Sequence, residues 1–175
     1  STRDWSSDVC SSDLVNTWFG DVFRGKFESS RPVYSIPFEH GAHDVYVVNH
    51  NGIEVAVFNT PVGAPAAVAI FEAVVALGAR KFIGCGGAGI VHEGFDVGHV
   101  IVPTGAVRDE GTSHHYAPVD HDVAPHPAAL AAIDAELTEA GVPHDRGITW
   151  TTDAFFRETP AKVARRRDQG CICVE

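Results

Sequence analysis

The stretch of this chain best suited to holding a ligand is Gly84-Cys85-Gly86-Gly87-Ala88-Gly89, directly after a short apolar run. Glycines in such a place let the backbone come close to a ligand and turn successive N–H groups toward an anion. The same letters satisfy G-x-G-x-x-G, with Asp109 about twenty residues further on, so a dinucleotide site has to be weighed. That fingerprint needs a helix to open from the loop, with the pyrophosphate on its N-terminus. Here the loop runs into Ile90-Val91-His92-Glu93-Gly94-Phe95-Asp96-Val97-Gly98, which has two glycines and no helical period. The dinucleotide reading is therefore disfavoured, and a turn without a ligand is the plain alternative to an anion loop.

Histidines and cysteines are the other residues able to do chemistry. His114, His115, His121 and His126 crowd one segment with Asp120 and Asp122, yet their spacing matches no zinc pattern. His114 and His115 are adjacent and would point apart in an extended chain, so a solvated loop is expected and no metal site. Cys10, Cys85, Cys171 and Cys173 form no CxxC pair, which fits free thiols better than a disulfide framework.

Several elements must position these groups. Residues 44–50 and 53–59 alternate as strands about Asn51-Gly52, a strong hairpin signal because both residues tolerate positive φ. A helix is expected from Pro65 to about Leu77, ended by Gly78, and apolar nearly all round, hence buried. Residues 81–84 and 97–103 read as strands. A second helix over residues 127–140 carries Leu130, Ile133 and Leu137 on one stripe and is amphipathic. Residues 148–152 read as a strand leading into a loop. A third helix begins with Thr159 as cap and Pro160 in its first turn. Arg165, Arg166 and Arg167 read as its solvated end, favoured by the helix dipole, and residues 171–175 open a strand. The alternation indicates an α/β protein.

Composition narrows the partners. With 175 residues there is room for one domain, and a formal net charge of −10 argues against a nucleic-acid partner. No apolar run approaches the roughly 20 residues of a membrane span, and no secretory signal is seen, so a cytoplasmic protein is expected. Residues 1–14, rich in Ser and Asp and without period, are expected to be a non-native or disordered tail, leaving 15–175 as the domain.

An ordered set of segments resembles the nucleoside phosphorylase family of uridine phosphorylases, hexameric purine nucleoside phosphorylases and methylthioadenosine nucleosidases. They are Gly63-Ala64-Pro65, the Gly86-Gly87-Ala88-Gly89 loop, Gly98-His99-Val100-Ile101-Val102-Pro103, Ala106 to Ser113 (AVRDEGTS), Thr151 to Phe156 (TTDAFF) and Val174-Glu175. The last pair resembles the opening of the family's Val-Glu-Met-Glu signature, so the chain is expected to be truncated at its C-terminus and to be inactive as it stands. The resemblance implies a single-domain three-layer sandwich with a central mixed sheet, assembled as a homo-oligomer (a dimer or a trimer of dimers). It implies cleavage of the N-glycosidic bond of a purine or pyrimidine ribonucleoside or deoxyribonucleoside, with inorganic phosphate as co-substrate and no cofactor.

Residue by residue, the resemblance places phosphate on Gly86, Gly87 and Ala88, and on Gly20 and Arg24, whose Gly20-Asp21-Val22-Phe23-Arg24 lacks the family motif's proline. It places the ribose hydroxyls on Glu175, since a carboxylate can accept two hydrogen bonds at once. It places the base against Phe155, for which a core ring is the alternative, with Arg157 and Glu158 where uracil readers have glutamine and arginine. No residue is assigned an acid–base role. Two departures bear on phosphate: Gly84 stands where uridine phosphorylases carry an arginine, and a second arginine, from the neighbouring subunit, falls near Gly41, with only His40 and His43 close by. Water could then replace phosphate, giving hydrolysis, or the fold could be a non-catalytic nucleoside-binding module.

Overall fold

The computed structural model describes residues 13–17 (backbone only), 32–39 and 41–175, and the chain divides into two compact units, Ser1–Gly87 and Ala88–Glu175. The α/β class holds, with strands in two mixed sheets, one of five and one of four strands. The single central sheet of the expectation is thus represented by one sheet in each unit.

The first unit carries β1 (Asp13–Thr17), β2 (Pro32–Ile36), β3 (His43–His50), β4 (Ile53–Phe58) and β5 (Lys81–Cys85), in the order β2-β3-β4-β1-β5. β1 runs parallel to β4 and β5, and the other neighbours are antiparallel. The expected hairpin is present. His50 pairs with Ile53, and Asn51 and Gly52 take φ of 53° and 83°, the mirror-image turn that suits twisted strands. The Asn49 carboxamide accepts from the Gly52 N–H at 3.0 Å and closes the turn. Asp13 and Leu14, set aside with the tail, pair with Lys81 and Phe82. The first strand therefore begins two residues before the expected start of the domain, while residues 1–12 lie outside the described ones.

Helix α1 (Ala64–Ala76) follows Gly63, with a proline in its first turn. Gly78 stops it at φ 107°, a conformation that would strain a side chain, and the Ala79 N–H closes back on Val74. The expectation that α1 is buried all round is corrected within this unit. Ile70 and Val74, one turn apart, are buried, whereas Val75, about 100° round the helix from Val74, is 41% exposed. An apolar composition sets no face by itself. The sheet covers only the stripe that carries Phe71, whose ring meets Phe58 and Phe82.

The second unit holds β6 (Gly89–Ile90), β7 (Val100–Asp109), helix α2 (Pro127–Glu139), β8 (His144–Thr152), helix α3 (Pro160–Asp168) and β9 (Cys171–Val174). Its sheet runs β6-β9-β8-β7, with β7, β8 and β9 mutually parallel and β6 antiparallel to β9. β7 starts three residues later than expected, because residues 96–99 form a turn in which His99 N–H meets Asp96 C=O at 3.1 Å. It also continues well past Pro103, where the register shifts between Pro103 and Gly105 and so accommodates the missing N–H. β8 begins four residues early, its polar His144-Asp145-Arg146-Gly147 start held by pairing with β7. α2 shows its expected stripe, with Leu130, Ile133 and Leu137 half-buried. Thr159 stands at the N-cap of α3, but its side chain makes no capping bond. The unit's core is Val91, Trp150, Cys171 and Val174, joined by Val107, Ile148 and Val163.

Candidate functional site at the strand ends of the second unit

Three parallel strands bring Asp109, Thr152 and Val174 to one edge of this sheet, and open α/β sheets bind ligands beyond the carboxyl ends of their strands. Side chains alternate between the two faces along each strand. Register pairs Val107 with Trp150 and Trp150 with Val174, so one face carries these three apolar residues beneath α3. The other face carries Arg108 and Thr151, which are paired across β7 and β8.

On that second face lies Glu175. Its backbone is fixed to β8 on both sides: its N–H donates to Trp150 C=O at 3.0 Å, and its own C=O accepts from the Thr152 N–H at 2.9 Å. Thr151 Oγ1 donates to Glu175 Oε1 at 3.2 Å. The carboxylate is exposed, and Oε2 has no partner among the described residues, so it is open to a ligand's hydroxyls.

The loop leaving β8 sets aromatic surface beside this edge. Phe155 and Phe156 sit in a single 3-10 turn with ring centroids 4.4 Å apart, and they are 62% and 91% exposed. The alternative of a core ring for Phe155 is set aside within this unit. Arg157 is exposed and Glu158 half-buried, and neither side chain has a partner among the described residues. Asp153 is engaged structurally: it accepts the Gly111 N–H at 3.1 Å and ties the β8 loop to the β7 loop.

The two carboxylates ending β7 are also committed. Burial would raise the Asp109 carboxyl, but bonds from Lys162, Arg166 and Trp150 outweigh it and hold the group at about 2. Burial likewise opposes ionisation of Glu110, and here the Ser113 hydroxyl and the Ser113 and Thr112 N–H groups win, leaving it below the usual range. Neither group keeps a proton to donate near neutral pH. Arg108 is used up in the same way. Its guanidinium donates to Ser113 Oγ at 2.8 Å, to the carbonyls of Pro118 and Ala117 at 2.6 and 2.8 Å, and meets His114 Nδ1 at 3.2 Å. It folds the histidine-rich loop rather than offering charge to a ligand. His126 caps α2 through Nδ1, and the described residues contain no group of three or more metal-ligating side chains.

The glycine loop is exposed throughout, with Gly86 and Gly87 closing the first unit and Ala88 opening the second. It leads into the two-residue strand β6 and not into a helix, so the helix terminus that a dinucleotide fingerprint requires is not there. Gly89 has no room for a side chain, since a Cβ would lie 2.9 Å from Val174 Cγ1. Gly20 and Arg24 lie outside the described residues. Gly41 and Gly84, the positions without arginine, are both exposed.

One cluster was missed by the sequence reading. Arg166, expected at a solvated helix end, is instead buried at 8% exposure and bonds Asp109. The signal available was the i, i+4 spacing of Lys162 and Arg166, which puts both on one helical stripe.

The carboxyl-terminal edge of the second unit's parallel strands thus presents an exposed carboxylate, Glu175, and a tilted pair of exposed rings, Phe155 and Phe156, in an α/β protein. Residues 20–175 match the sequence profile of the phosphorylase superfamily, and the chain belongs to that superfamily. It is 34% identical over 118 residues to a uridine phosphorylase of Thermococcus kodakarensis, covering 67% of this chain and 42% of that protein. It is 29% identical over 131 residues to a guanosine phosphorylase of Halorubrum lacusprofundi, covering 73% and 53%. A uridine phosphorylase of Treponema pallidum is 32% identical over 126 residues, covering 70% and 49%. The chain thus spans about half the length of these relatives. Among the described residues no helix is long and apolar enough to cross a membrane.

Proposed function

We propose that this chain is the nucleoside-holding part of a nucleoside phosphorylase, which cleaves the N-glycosidic bond of a purine or pyrimidine nucleoside with inorganic phosphate as co-substrate. The observation that carries the reading is the Thr151–Glu175 pair, a positioned carboxylate with one free oxygen, one residue-step from the loop that carries the exposed Phe155. Glu175 accepts the ribose hydroxyls, Phe155 stacks on the base, and Arg157 and Glu158 meet its polar edge. Gly86, Gly87 and Ala88 offer N–H groups to phosphate, with Gly20 and the guanidinium of Arg24. A phosphate oxygen bonds to C1′ as the C1′–N bond breaks, and the base leaves with the electron pair. Catalysis is then placement and electrostatics, with no covalent enzyme intermediate.

A second reading, hydrolysis, is favoured by Gly84 and Gly41, which leave phosphate with little cationic support. Kinetics of the protein expressed from its native gene separate the two. Base release should rise and saturate with phosphate, and Arg24→Ala should raise the half-saturating phosphate concentration about ten- to a hundredfold, the worth of one charged hydrogen bond. Rates indifferent to phosphate would support hydrolysis. A mutant indistinguishable from wild type would remove Arg24 from the site.

A further inference from the structure

Behind Glu175, on the opposite face of the sheet, a partly buried polar cluster surrounds Trp150. The indole is fully buried, and its Nε1–H donates to Asp109 Oδ2 at 2.9 Å. The same oxygen receives Lys162 Nζ at 2.7 Å and Arg166 Nη2 at 2.9 Å. Both cations also lie over the Trp150 ring, 5.2 and 5.5 Å from its centroid. Arg166 is held from its other side by Gln169 Oε1 at 2.8 Å. Three donors from α3 and β8 therefore converge on one oxygen of β7.

This geometry bears on the ribose carboxylate through one residue. Trp150 is clamped by its side chain on the α3 face, while its carbonyl holds the Glu175 N–H. Thr151, the next residue, holds the Glu175 carboxylate on the other face. With the indole packed at 0% exposure, a displacement that its χ1 and χ2 do not absorb passes to the backbone that carries both of these bonds. We propose that Asp109, Lys162 and Arg166 are positioning residues that fix Glu175 for the ribose hydroxyls by clamping Trp150 between β7 and α3. The proposal rests on the reading of Glu175 as the ribose ligand. None of the three clamp residues touches substrate.

A double-mutant cycle tests it, because coupled residues are non-additive where independent ones add. The readout is nucleoside binding by titration calorimetry without phosphate, using uridine or guanosine, whichever the wild-type protein turns over. Asp109→Asn should weaken binding roughly tenfold, the order of one misaligned charge-assisted hydrogen bond. In a Glu175→Gln background it should weaken binding less than about twofold. Lys162→Met, which leaves Arg166 and Trp150 on Asp109, should show the same non-additivity with a smaller first step and serves if Asp109→Asn does not fold. Asp134→Asn, far along the sheet at its pairing with Arg146 and His144, is the stability control and should be equally mild in both backgrounds. Equal losses from Asp109→Asn or Lys162→Met in both backgrounds would make the cluster merely structural and overturn the clamp. A wild-type protein that turns over neither nucleoside, or a Glu175→Gln variant that binds normally, would instead overturn the reading of the site on which the clamp depends.

Discussion

The sheet of the second unit carries an acidic cluster at each end, and the two differ in what surrounds them. At the carboxyl ends of the strands, Asp109 takes three donors on a single oxygen, against a fully buried indole. Near the amino ends, Asp134 meets Arg146 and His144, and Asp145 meets His99 at 2.8 Å. There the Arg146 and Asp145 side chains are 48% and 56% exposed, against 10% for Arg166. Exposed ion pairs contribute little, since water and salt screen them and ordering two long side chains costs entropy. Buried ones do not add much net stability either, but they punish the loss of a partner. The same residue types thus make a rigid joint at the end where the candidate site lies and a soft seam at the other.

The joint can be broken at its centre. Trp150→Ala removes a fully buried ring and the indole donor together, and should lower unfolding stability by about 3–5 kcal/mol in urea titrations. A loss under about 1 kcal/mol would mean that the unit collapses around the cavity and that the indole is not its keystone.

Asp109→Asn keeps the shape and removes the charge, leaving Lys162 and Arg166 as neighbouring cations without a counter-ion. With the Asp109 side chain 27% exposed, the expected cost is about 1–3 kcal/mol. The sign of the pH dependence follows from the folded carboxyl lying at about 2, below its ordinary 3.8. The unfolded chain binds more protons in between, so the stabilisation is complete above about pH 4 and is lost as pH falls toward 2. Glu110, lowered in the same direction, adds to this acid loss. Urea midpoints measured from pH 6 to pH 2 should fall less steeply for Asp109→Asn than for wild type. Parallel curves would show that Asp109 titrates normally and is not clamped.

The soft seam should give the smallest effect. Asp134→Asn is expected to cost less than about 1 kcal/mol, and less still at high salt. A cost matching that of Asp109→Asn would erase the contrast between the two ends.

How far these regions could be read from sequence follows from the kind of signal each carries. The Asn51-Gly52 turn and the Pro–Gly punctuation of the helices are local chemistry, and all appear where expected. The polar start of β8 was invisible because its strand state is imposed by pairing with β7, not by its own alternation. The ends of β7 were misplaced for a related reason, since Gly98 turns the chain and a register shift lets the strand pass Pro103. Glu175 and Phe155 are proposed for the site through family motifs, and the fold adds that both are exposed at the carboxyl-terminal edge of the sheet. The joint was not legible, because Arg165-Arg166-Arg167 looks alike at every position until the fold buries one member against Trp150. Arg108 illustrates the converse, a cation in a motif that the fold spends on five loop partners, His121 C=O among them.

The claim that most needs direct measurement is that phosphate, not water, takes the sugar. Phosphorus NMR of the native-gene protein with nucleoside and inorganic phosphate reads this without assuming a base. Phosphorolysis gives a new phosphomonoester resonance that grows in step with free base while inorganic phosphate declines equally. Free base accumulating with the inorganic phosphate signal unchanged would contradict it.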